Sequence, residues 1–152
     1  MSAYQLPAFV WPSAVMAVGG IAIWRGRNYE RLAAGGLIAA WALSLVAYER
    51  QLQTQWGILA VDLSMMALLC WVVLKSRRFW PMFAAGFHLL AILTHLARGL
   101  DPTFGGWTYM TAELIWGYLV ASTIGYGAWT APNRQEAYDA EADVTPPGAT
   151  LR

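Results

Sequence analysis

Charge is scarce in this chain of 152 residues: Asp, Glu, Lys and Arg together make up 12%, about half of what an average soluble domain carries. That deficit excludes a disordered chain and an ordinary soluble domain of this length. A formal net charge of +1 leaves no electrostatic basis for holding nucleic acid. Cysteine is nearly absent. Cys70 stands alone, which excludes an internal disulfide framework and any Cys-rich metal site. No Lys or Arg precedes the first apolar stretch, so the basic n-region of a signal peptide is missing and the first span is expected to be retained. Enzyme signatures are lacking too: no nucleophile elbow, no phosphate-binding P-loop, no paired zinc-binding His motif and no dinucleotide-binding glycine fingerprint.

What fills the space is apolar. Hydrophobic residues make up 58% of the chain and nine of them are Trp. A membrane-crossing helix needs about 20 mostly apolar residues, and five stretches qualify: 6–24, 32–48, 56–74, 79–97 and 108–129. None shows the alternation of a lipid-facing barrel strand. The expectation is an all-α polytopic membrane protein, a bundle of five helices over residues 1–130 joined by short loops. Pro12 and Pro81 sit near the starts of the first and fourth spans, where a missing N–H is cheapest. Residues 131–152 hold Glu136, Asp139, Glu141, Asp143 and Pro146–Pro147, the composition of a solvated tail.

Orientation follows from the cations. Arg25, Arg27, Arg31, Lys75, Arg77, Arg78, Arg134 and Arg152 fall on one side, against Arg50 and Arg98 on the other. The positive-inside rule then puts the N-terminus outside and the tail in the cytoplasm. Nine Arg to one Lys, with heavy use of Ala, Gly and Trp, suggests a GC-rich bacterium and hence a bacterial cytoplasmic membrane. Six Trp (Trp11, Trp24, Trp56, Trp80, Trp107 and Trp129) fall near span ends, where an amphipathic ring suits the interface. A faint duplication joins the stretches 24–29 and 74–79, and the pairs Trp56/Asp62 and Trp107/Glu113, although any cytoplasmic interface selects similar residues.

Ionisable groups are costly in hydrocarbon and tend to face protein or water. Asp62, His88, His95 and Glu113 lie within the spans, and Arg98 follows His95 by three residues. The topology puts Asp62 and Glu113 about 9 Å from the outer surface, on a rise of about 1.5 Å per residue. Glu113, Gly117, Ala121 and Gly125 recur at i+4, a small-residue ladder that lets helix backbones approach closely. Gly36 and Ala40 form a second, shorter one.

Three readings of the polar cluster compete: a structural knot fixing helix register, an outward vestibule binding protons or a cation, and a metal or haem centre. His88 and His95 are two turns apart on one helix, too far to clamp a single ion. One His with Asp62 and Glu113 can still hold one, but no metal or other cofactor is expected. The functional expectation is a non-catalytic subunit or assembly partner of a larger membrane complex, its ladder covered by another subunit or another copy. The alternative is a small oligomeric transporter or channel using the outer cluster. The partners expected are the lipid bilayer and other membrane subunits or a second copy.

Overall fold

The computed structural model describes residues 10–47, 56–101, 103 and 105–132, which form five α-helices and no strand. They are α1 (Val10–Trp24), α2 (Asn28–Ala47), α3 (Trp56–Lys75), α4 (Trp80–Leu100) and α5 (Gly106–Trp129). Glu49, Arg50, Pro102 and nearly all of the acidic tail from Ala131 lie outside the described residues. Ala131 itself is buried.

Helix starts follow local chemistry. Pro81 occupies the first turn of α4, where its ring costs no hydrogen bond. α2 begins at Asn28, four residues before the expected Leu32. Arg27 caps it: its carbonyl accepts the Arg31 N–H, and its own N–H donates to Glu30 Oε2 at 3.1 Å. That is the acidic half of a capping box.

The helices form a closed ring in chain order, α1 against α2, α2 against α3, α3 against α4, α4 against α5 and α5 back against α1, with α2 also touching α5 across the centre. The core is built on small residues. Ala22, Ala33, Ala84 and Ala128 are fully buried, and they bring backbones close around the larger Val15, Leu69 and Ile124. The outer faces are the reverse. Val46, Leu74, Phe79 and Leu100 are between 79% and 86% exposed, and further Leu, Ile, Met and Phe side chains extend this apolar surface along every helix.

Two of the helices, α3 and α4, are long and apolar enough to cross a membrane by length and composition. The expectation of five such spans is therefore met in helix number and only in part in character. α1 has 15 described residues. α2 carries Asn28, Glu30 and Arg31 in its first turn, and α5 is diluted by Thr, Tyr, Gly and Glu113.

Candidate functional site

Two polar clusters lie at opposite ends of the ring. The first is at the end where α3 and α5 begin and α4 finishes. His95 on α4 is its centre, 3% exposed. Its Nε2 lies 3.0 Å from Asp62 Oδ2 on α3 and 3.6 Å from Glu113 Oε2 on α5. Its Nδ1 is 2.7 Å from the Tyr109 hydroxyl, also on α5. A carboxylate oxygen accepts, so Nε2–H donates to Asp62, and in neutral His95 Nδ1 then accepts a hydrogen bond from the Tyr109 hydroxyl. Three helices thus contribute to one imidazole.

His88 plays a different part. Its Nε2 is 2.9 Å from the backbone carbonyl of Asp62, and a carbonyl only accepts, so His88 is the donor. The Asp62 carboxylate is 4.0 Å from the same nitrogen. His88 therefore pins the α3 turn that presents Asp62. Glu113 Oε1 is buried and has no hydrogen-bond partner among the described residues, an arrangement that is costly for an acceptor unless something else satisfies it.

These residues border a cavity of about 420 Å³ whose walls are mainly apolar, with Trp11, Trp41, Met65 and Leu114 among them. Arg98, half-buried, lines the same cavity, and among the described residues it makes no ion pair with Asp62 or Glu113. Asp62, His88, His95, Glu113 and Arg98, singled out in the sequence and drawn from α3, α4 and α5, share one cavity. The helix-spacing argument against an ion concerned only two His on α4. It does not apply to a set drawn from α3, α4 and α5, whose ligand atoms all lie within 4.8 Å of one another.

The small-residue ladder is covered from within the chain. A Cβ on Gly117 would lie 2.9 Å from the Trp11 ring of α1, and one on Gly125 would lie 3.5 Å from Val18. Ala121, between them, is 2% exposed. On α2, a Cβ on Gly36 would meet Leu68 of α3 at 2.4 Å, and Ala40 packs against the core. The face that was expected to need a foreign helix is already filled by α1.

The second cluster, at the other end, escaped the sequence reading. Glu30 is 2% exposed. Its Oε1 accepts from Arg78 Nη1 at 2.8 Å and from Trp80 Nε1 at 3.1 Å. Arg78 continues to α5, donating to the Gly127 carbonyl at 3.0 Å and to the Thr130 carbonyl and hydroxyl at 2.8 Å each. Trp80, expected at an interface, is instead 4% exposed. Its ring lies against Gly127, where a Cβ would come within 2.6 Å. Trp24 and Trp129 keep the expected exposure, and both rings touch Arg25, whose guanidinium carbon is 4.7 Å from the Trp129 ring centre.

Tyr109 was also missed, although a signal existed: it precedes Glu113 by four residues and so shares its helix face. Compared with known proteins, the chain matches no family model, no curated protein and no solved structure.

Proposed function

We propose that this chain is a five-span protein of a bacterial cytoplasmic membrane, and that it acts as a small transporter that takes a cation from the outer side into the cavity around His95. Support for the membrane setting is threefold. α3 and α4 have the length and apolarity of spans, the outer faces of all five helices are apolar, and the cations crowd at the Glu30–Arg78 end. By the positive-inside rule that end is cytoplasmic and the His95 end is outer.

The observation that carries the function is the meeting of Asp62, His95 and Glu113 from three helices in one cavity. Two carboxylates beside one imidazole make a concentrated negative site in a medium of low dielectric, which favours a cation. Below the site Val15, Leu69 and Ile124, each fully buried, fill the interior with apolar side chains. Passage across requires the helices to rearrange, as in a carrier, and not an open pore. The competing reading, a non-catalytic subunit of a larger complex, rests in part on the small-residue ladder, against which Trp11 and Val18 of α1 already pack.

The test is reconstitution into liposomes with a cation-sensitive dye inside. Wild-type protein is expected to move a proton or metal cation inward, and Glu113→Gln and His95→Ala to abolish movement while keeping the wild-type elution profile. Normal movement in both variants defeats the proposal.

A further inference from the structure

The cation can be specified more closely. The geometry points to a divalent first-row transition metal held by Asp62 Oδ2, His95 Nε2 and Glu113 Oε2, with Tyr109 as the positioning residue behind the imidazole. This rests on the reading of the cavity as a cation site and adds the identity of the cation.

Ligand atoms around an ion with bonds of about 2.0–2.2 Å lie about 2.8–3.6 Å apart, from the edge of an octahedron to that of a tetrahedron. Two such edges are present, His95–Asp62 at 3.0 Å and His95–Glu113 at 3.6 Å, and all three atoms fall within 4.8 Å. Nitrogen with two carboxylate oxygens suits manganese, iron, cobalt or zinc better than soft copper(I), which prefers sulfur. The two carboxylates together match a charge of +2. Three protein ligands leave further positions open to water, the pattern of sites that exchange their metal or substrate. Glu113 brings a buried oxygen that nothing among the described residues satisfies.

Tyr109 lets His95 change tautomer at low cost when a metal binds. Without metal, His95 carries its hydrogen on Nε2, facing Asp62, and Nδ1 accepts from the Tyr109 hydroxyl at 2.7 Å. When a metal takes the Nε2 lone pair, the hydrogen on Nε2 leaves to water and Nδ1 takes one from water, so the imidazole stays neutral. The Tyr109 hydroxyl, which can donate or accept, then turns to accept the hydrogen bond from Nδ1–H. A phenylalanine there can do neither. His88 stays outside the ligand set because its Nε2–H is committed to the Asp62 carbonyl.

The experiment is titration of the purified full chain in detergent with cobalt(II), followed by its d–d absorption, by zinc(II) competition and by the emission of Trp11 and Trp41 at the cavity wall. One cobalt per chain is expected, with a spectrum of oxygen and nitrogen ligands and no thiolate charge-transfer band, unchanged in Cys70→Ala. His95→Ala and Asp62→Asn should weaken binding at least 100-fold. Tyr109→Phe should weaken it about 10- to 100-fold, the range for loss of a partner behind a metal-bound His, while leaving the bound spectrum intact. The wild-type spectrum reports the ligands even if a variant misfolds. If wild type takes no cobalt but its Trp emission responds to protons or to sodium in a Glu113-dependent way, the metal assignment falls and the cation site stands. If no cation changes the emission, both fall. Unweakened cobalt binding in His95→Ala also overturns the assignment.

Discussion

Removing either partner of the Glu30–Arg78 pair should destabilise the bundle, but by unequal amounts. Arg78→Ala leaves Glu30, 2% exposed, without its cation in a site that water does not reach. Breaking a buried pair in this way costs about 3–5 kcal/mol. It also strips the carbonyls of Gly127 and Thr130 of a donor. Glu30→Ala is milder. Arg78 has a side chain 30% exposed, so it can turn toward water and keep its bonds to α5. The main loss is then the bond from Trp80 Nε1–H to a charged acceptor, about 1.5–3 kcal/mol, since the N–H of exposed Arg27 can turn to water. Because the two residues touch, the double variant should cost less than the sum by about 1–3 kcal/mol. Arg78→Lys should fall between, since a lysine keeps the charge but cannot fork between Glu30 and Thr130. The assay is reversible unfolding in mixed micelles, read by Trp emission. Additivity within about 0.5 kcal/mol, or a larger loss from Glu30→Ala than from Arg78→Ala, would refute the account of the pair as a buried, mutually dependent unit.

Two further outcomes follow from packing and from the loop after α4. Gly127→Ala puts a methyl group within 2.6 Å of the buried Trp80 ring and should cost about 1–3 kcal/mol by overpacking; Gly86→Ala, in open space on the exposed face of α4, should be stabilising by up to about 1 kcal/mol, and thermal unfolding of the two variants decides it. Asp101 Oδ1 accepts from the Thr103 N–H and hydroxyl at 2.8 and 2.6 Å, and these bonds hold its carboxyl below the usual aspartate range. The ordering of this turn is therefore complete above the usual aspartate pKa and is lost as pH falls through the lowered one. A carbon-detected titration should show Asp101 rising toward the usual value in Thr103→Val, which keeps the N–H bond and removes the hydroxyl bond, and an unchanged value would show that the hydroxyl does not set it.

The helices were legible because apolar runs of span length have few other uses, and breaks at Arg25–Arg27 and Ser76–Arg78 mark their ends. Members of the outer cluster were legible for a related reason: Asp62, His95 and Glu113 are expensive where they stand, so each announces a partner. Their partners were not legible. Short loops fix neighbours in sequence, whereas the meeting of α3, α4 and α5 at His95 and the closure of α1 on α5 depend on how side chains interlock. That is why the ladder headed by Glu113 was visible as a packing face and its occupant, Trp11, was not. Glu30 was hidden by a boundary. Starting the second span at Leu32 left it in a basic loop, where a carboxylate looks like ordinary surface. Trp80 was misplaced by a sound generality, since Trp at a span end usually sits in the interface, but here Gly127 makes room for it inside.

The clasp of Glu30, Arg78 and Trp80 binds α2, α4 and α5 at one end, and His88 and His95 bind α3, α4 and α5 toward the other. The molecule is in that respect a pair of tongs whose jaws meet on one imidazole. From Trp80 to His95 along α4 is about 22 Å at 1.5 Å per residue, so a tilt of about 5° about the clasp moves the imidazole by about 2 Å over that length. Small angular play at the pivot is thereby magnified at the jaws, and the stiffness of a charged knot at one membrane face sets how widely the opposite face can gape.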